Sequence, residues 1–171
     1  MKMSDKLEAA FNEQVTQEFA SSLVYRQLAV EMEQQELVGM ANWLRIQADE
    51  EIVHANTFLQ HLITRGNKGV IGGIDAPTVA DTSPQGLFEA ALANEREISE
   101  SVRNLWRLAE AEGDLDCRPL LHTFLSEQIR EEDTVHHIVG QLKMTAHDSA
   151  GVLRLDAELG ARGAQDTGAT L

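Results

Sequence analysis

Helix breakers are scarce in this chain, and where they fall constrains the fold more than any other feature. Three prolines occur, Pro77, Pro84 and Pro119, and glycine is sparse outside two stretches, so long helices are permitted almost everywhere else. No segment alternates apolar and polar residues in the manner of a half-buried strand. The reading is all-α.

The pattern SDKLE, with Ser4 as N-cap, opens a first helix, α1, over roughly 5–34. A turn at 34–36 leads into α2 over roughly 37–65, which Gly66 ends. So short a link makes the two antiparallel neighbours. The stretch GNKGVIGGIDAPTVADTSP, from Gly66 to Pro84, is too rich in Gly and Pro for a helix and too long for an ordinary bundle turn. At ~3.3 Å per residue it spans about 60 Å, whereas α2 at ~1.5 Å per residue spans about 43 Å. The loop can therefore return to the end where α2 began, leaving α3 parallel to α2. Ser83 and Pro84 open α3 as N-cap and first-turn proline, and it runs to about 112. After the turn GDLDCRP come α4, roughly 119–146, and a short amphipathic α5, 149–159. The expected architecture is a four-helix bundle with a long crossover between α2 and α3 and a short fifth C-terminal helix. Residues 1–160 form one domain, and 161–171 a flexible tail.

A chain of 171 residues can bury a sizeable core without disulfides, and its one cysteine, Cys117, forms neither an intrachain bridge nor a Cys-rich zinc site. It reads as a partly buried free thiol. Metal chemistry must therefore come from oxygen and nitrogen donors. Acidic residues outnumber basic ones 28 to 14, for a formal net charge of -14. That argues against nucleic acid and anionic membranes as partners and makes cations the natural counterpart. No run of about 18 apolar residues and no apolar N-terminal stretch occurs, so a cytoplasmic protein is expected.

Steps of three and four residues trace the buried seam of each helix. On α1 they give Leu7, Phe11, Gln14, Glu18, Ser21, Tyr25, Leu28 and Met32. The other seams run through Ala48, Glu51 and Ala55 on α2, Ala91, Glu95 and Ile98 on α3, and Gln128, Glu131 and Val135 on α4. Each seam is apolar at its ends and carries a glutamate near its middle. Glutamates at helix midpoints fall at similar heights whichever way each helix runs, so Glu18, Glu51, Glu95 and Glu131 should converge. An unpaired carboxylate in a dry core costs several kcal/mol, and no Lys or Arg occupies a central seam position. A bound cation is the remedy.

His54 lies one helical turn after Glu51, so both side chains reach a common point. A Glu-x-x-His pair alone is commonplace on a solvated acidic helix, but four seam glutamates at matched height are not. Di-iron and di-manganese bundles use two single glutamates and two Glu-x-x-His pairs. Here α4 offers Gln128-x-x-Glu131 in place of a second pair, so the site should be unequal. One metal would have Glu18, Glu51 and His54; the other would have Glu51, Glu95 and Glu131, all oxygen donors. Two ions about 3.5–4 Å apart, bridged by Glu51, suit Fe(II) first and Mn(II) as the alternative. Tyr25 on the same stripe reads as a buried aromatic whose hydroxyl finds a partner, and Glu50 and Glu127 flank the seam as ordinary surface charge.

Glu18, the stretch EEIVHA with Glu51 and His54, Glu95 in ANERE, and Gln128 and Glu131 in SEQIREE together resemble the bacterial non-haem ferritins. The likeness covers residues 5 to about 160. It implies a ferroxidase that oxidises Fe(II) with O2 or H2O2 and deposits ferric mineral inside a hollow homo-oligomeric shell of twenty-four subunits. It also implies that Glu50, Glu127 and Glu131 serve a third, accessory iron position and that Tyr25 is the tyrosine beside the centre. Bacterioferritins, which are similar, carry a haem-ligating methionine immediately after the α2 glutamate. Ile52 stands there instead, so no haem is expected. Rubrerythrin-like peroxidases add a Cys-rich module that one cysteine excludes. A di-iron oxidase or peroxidase without storage remains the alternative.

Overall fold

A computed structural model of the chain describes residues 2–161. Most of the expected tail, 162–171, lies outside the described residues. Five helices and no strand occur among those described: α1 (Asp5–Glu33), α2 (Val38–Thr64), α3 (Pro84–Ala111), α4 (Arg118–Met144) and α5 (Ser149–Gly160). The caps are those the sequence signals. Ser4 Oγ accepts from Leu7 N at 3.3 Å and Ser83 Oγ from Gly86 N at 3.0 Å, each satisfying an orphan N–H of a helix start.

Three helices end in the same way. A residue just past the helix end takes a left-handed conformation, and the next N–H reaches back five residues: Leu37 to Met32, Asn67 to Leu62, and Asp114 to Ala109. Two of the left-handed positions are glycines, Gly66 and Gly113, but the third is Glu36 at φ 62°. A Cβ there costs ~1–2 kcal/mol, and glycine loses about 0.5–1 kcal/mol through chain entropy. Glu36→Gly is therefore expected to stabilise the fold by about 0.5–1 kcal/mol, read as a higher denaturant midpoint. An unchanged or lower midpoint would contradict this account of the turn.

The crossover is laced along α1. Glu8, Asn12 and Thr16, one turn apart on the same face, bind its first half. Asn67 Nδ2 donates to Glu8 Oε2 at 2.6 Å, Val70 N to Asn12 Oδ1 at 2.7 Å, and Gly72 N to Thr16 Oγ1 at 2.8 Å. At the far end Gln35 Nε2 donates to the Thr82 carbonyl at 2.7 Å. The loop thus travels the length of α1 back to where α2 starts, and α3 begins there, parallel to α2. α1 packs against α2 and α3, and α3 against α4.

α5 needs a surface for its apolar edge, and it finds one in its own chain. Leu155 is buried in the cluster that holds Leu37 and Met40, with Val152 and Leu159 beside it. Asp156 Oδ1 also accepts from Met40 N at 2.8 Å, supplying the cap that Leu37 lacks at the start of α2. Gly39 permits the approach, since a Cβ there would lie 1.9 Å from the Asp156 carbonyl oxygen. At the opposite end of the bundle Arg65 donates to both carboxylate oxygens of Asp114, at 2.9 and 2.7 Å, and to Cys117 Sγ at 3.0 Å. Cys117 is fully rather than partly buried, and burial pushes its thiol up to about 12, which makes it inert at neutral pH.

The core is two apolar clusters. One holds Tyr25, Leu28, Leu44, Phe88 and Ile138; the other holds Phe11, Phe58, Val102, Leu121 and Phe124. Each of the four long helices contributes to both. Between them every helix turns polar: Gln14, Glu18, Ser21 and Ser22 on α1, Gln47, Glu50, Glu51 and His54 on α2, Glu95 and Ser99 on α3, Gln128 on α4, all buried. No described helix is long and apolar enough to cross a membrane.

Candidate metal centre

Burying so many polar groups in one layer is costly unless they are paired, and their pairing gives the layer its geometry. Glu18, Glu51 and His54 each direct one ligand atom into a space where these atoms lie within 4.8 Å of one another. His54 Nδ1 is 3.7 Å from Glu51 Oε2, and Nε2 is 3.6 Å from Glu127 Oε1. The imidazole stands edge-on to Phe124 with centroids 5.3 Å apart, which fixes its plane. Glu18 Oε1 accepts from Gln14 Nε2 at 2.7 Å, while Glu18 Oε2 is buried with no hydrogen-bond partner.

Across the layer Glu95 is held from two sides. The Tyr25 hydroxyl donates to Oε1, and Gln128 Nε2 donates to Oε2 at 3.0 Å. Glu131 Oε2 accepts from Gln47 Nε2 at 3.2 Å.

The electrostatics match this crowding. Burial, then the charge of Glu51, raises the Glu18 carboxyl well above the usual range. Burial raises Glu51 and Glu95 to about 7 each. Burial would lower His54, but the carboxylates of Glu127 and Glu51 outweigh it and hold the imidazolium well above its ordinary pKa. The layer without a cation therefore keeps protons that a divalent ion would displace. Three acidic or imidazole donors and an orphaned buried oxygen are what a hard or borderline divalent cation requires, so the residues present fit such an ion.

Residues 8–145 match the family model of the ferritin-like domain. The chain belongs to the ferritin family. It is 33% identical to the bacterial non-haem ferritin of Bacteroides fragilis (strain 638R) over 160 residues, covering 94% of this chain and 99% of that one. Its identity to the bacterial non-haem ferritin of Staphylococcus epidermidis (strain ATCC 35984) is 31%, over 94% of this chain and 96% of the relative. Among solved structures, an open-pore ferritin from the hyperthermophilic archaeon Archaeoglobus fulgidus superposes with a TM-score of 0.93 at 28% identity, covering 95% of this chain and 100% of that one.

In this ferritin-family chain the expected seam residues meet unequally. Glu18, Glu51 and His54 come together, whereas Glu51, Glu95 and Glu131 do not close to the same spacing among the described residues. Glu131 is half-buried rather than a core residue. Glu50, read from its position as flanking surface charge, is buried, and Glu127 has only 13% of its side chain exposed, against His54. His61 is half-buried and stacks on Phe11 with centroids 5.6 Å apart.

Sequence reasoning assigned nothing to Gln47, Ser99 or Ser101, and left Gln14 on its seam without a role. A signal was present for two of these. Gln14 and Gln47 each precede a seam glutamate, Glu18 and Glu51, by four residues and so share its face.

Proposed function

We propose that this chain stores and detoxifies iron, oxidising Fe(II) within each subunit and holding the ferric product inside a hollow shell of its own copies. The observation that carries the reading is the buried group of Glu18, Glu51 and His54, with its orphaned Glu18 oxygen, between two apolar clusters of a ferritin-family chain. The name shared by the relatives, bacterial non-haem ferritin, supports it.

In this proposal iron is the substrate. One Fe(II) takes Glu18, Glu51 and His54; a second takes Glu51, Glu95 and Glu131, with Glu51 shared. Loading requires that the carboxyls and His54 release protons, which the Fe(II) charge drives. Each iron then gives one electron. With O2 as oxidant, two electrons and two protons yield H2O2; with H2O2 they yield two waters. The carboxylates favour the product because hard oxygen donors stabilise the higher charge. The oxygen-only second position holds iron more loosely and releases ferric product to the cavity.

Tyr25 and Gln128 hold Glu95 from opposite sides, and Glu50, Glu127 and Glu131 serve an accessory third iron. The apolar clusters above and below exclude water from the pair. Assembly into twenty-four subunits and a cytoplasmic setting complete the reading, with no haem.

Anaerobic Fe(II) titration of the purified protein, followed by air, tests it. Saturable binding, a transient visible absorbance and ferric iron that co-elutes with protein on gel filtration are expected. Oxidation no faster than in buffer would overturn the ferroxidase, and elution as a monomer or dimer would overturn storage while leaving a di-iron oxidase.

A further inference from the structure

Gln14 is fully buried on α1, one turn before Glu18, and both ends of its amide are used. Nε2 donates to Glu18 Oε1 at 2.7 Å, and Oε1 accepts from the Ser101 hydroxyl at 2.6 Å. Ser101 belongs to α3, so this three-residue chain crosses from one helix to another before it reaches the metal centre. The amide cannot turn over without setting its carbonyl oxygen against a carboxylate oxygen, which is repulsive whenever Glu18 is ionised. Glu18 thus has Oε1 engaged by the amide, while Oε2 is buried and meets no N–H or hydroxyl donor, the carboxyl facing Glu51.

We infer that Gln14, braced by Ser101, is a positioning residue that commits Glu18 to bind metal through the single oxygen Oε2. A carboxylate free to rotate presents two oxygens to an ion; one tethered through Oε1 presents the other. The amide is held at both ends, by Glu18 and by Ser101. Gln14 sits in the packed seam, and Ser101 lines an open groove between α1 and α3 together with Glu13, Gln17, Glu97 and Asn104. A carboxamide carries no acidic proton near neutral pH, so the chain sets geometry and does not relay protons. Single-oxygen binding by Glu18 leaves coordination positions on that ion open to oxidant. This inference rests on the metal reading of the site given above.

The test is anaerobic Co(II) binding by the full assembled protein, followed by visible absorbance, whose intensity and shape report coordination number, with His54→Ala identifying the bands that belong to this position. Loss of a partner that orients a ligand typically weakens metal binding about 10–100-fold. Gln14→Leu is expected to weaken Co(II) binding by that factor and to change the absorbance as Glu18 turns to offer both oxygens. Ser101→Ala should weaken binding in the same direction by a smaller factor, and Ser101→Thr, which keeps the hydroxyl, should restore wild-type affinity and spectrum. Folding is checked by helical circular dichroism.

Wild-type affinity and spectrum in a folded Gln14→Leu protein would overturn the inference alone. If Gln14→Leu does not fold, the partly exposed Ser101 decides: Ser101→Ala and Ser101→Thr behaving identically would overturn it. A wild-type protein that binds no Co(II) at His54 would overturn the reading of the site itself, and the positioning role with it.

Discussion

Replacing Glu51 by alanine is expected to slow Fe(II) oxidation by about 100-fold or more, the largest effect of any single substitution in the layer. Removing a partner that merely orients a ligand costs about 10–100-fold in affinity or activity, and in the proposed centre Glu51 is a ligand to both ions. Its carboxylate lies 3.7 Å from His54 on one side and interacts electrostatically with Glu18 and Glu95 on the others. Its loss leaves each ion with one donor fewer and nothing to set the distance between them. Initial rates of O2 consumption with excess Fe(II), for wild type, Glu51→Ala and Glu51→Gln, measure the effect. The glutamine variant keeps the volume and removes the charge, so it should be nearly as slow. Wild-type rates in both would end the shared-ligand reading.

The same substitution should act oppositely on stability. Metal-free wild-type protein is expected to lose stability as pH rises from about 5 to 8. Glu51 and Glu95 are raised from 4.5 to about 7 in the folded chain, so over that window the folded state holds protons that the unfolded state has released. Stability then falls with rising pH and levels off once the folded groups have ionised. Glu18, raised for the same reason, adds to the fall. His54 acts in the same direction at higher pH: its raised pKa gives stability that is complete below the unfolded value of 6.5 and is lost as pH climbs through the folded one. The carboxyls held low, such as Asp114 beside Arg65, change the balance only under acid conditions, outside this window.

A divalent ion removes the penalty, because it takes the place of the protons. At a free concentration of one hundred times its dissociation constant it adds about 2.7 kcal/mol, on the order of 5–10 °C in a domain of this size. Thermal scans in chelator and in Zn(II) between pH 5.5 and 8 should diverge as pH rises. Glu51→Gln in chelator should melt above wild type near pH 8. Parallel curves would mean that the layer is stabilised by something other than proton and metal exchange.

Both predictions trace to residues that could be read before any coordinates existed. Stepping by three and four residues from Leu7 and from Leu37 arrives at Glu18 and Glu51 because a helix repeats every 3.6 residues, a property of the chain's own backbone. The crossover was legible for a similar reason, since Gly and Pro density forbids a helix there whatever the surroundings.

Glu131 and Glu127 show where such reading stops. They lie four residues apart on α4, and only the rotation of that helix decides that Glu127 faces His54 while Glu131 is half-buried beside Gln47. A turn of a few tens of degrees would carry both away from these partners. Nothing local to α4 sets it; the packing of Phe124, Leu121 and Val135 does.

By itself, then, the amino-acid order determined the helices, their antiparallel and parallel senses, and the height at which carboxylates interrupt the core, because backbone periodicity and breaker placement are local. The tertiary structure alone decided which carboxylates close on one another, that Gln47 and Gln128 each donate to a glutamate of another helix, and that α5 caps α2 through Asp156. Those are contacts of about 3 Å between separate helices, and at that range the azimuth and axial offset of each helix, set by the whole core, outweigh any preference within a segment.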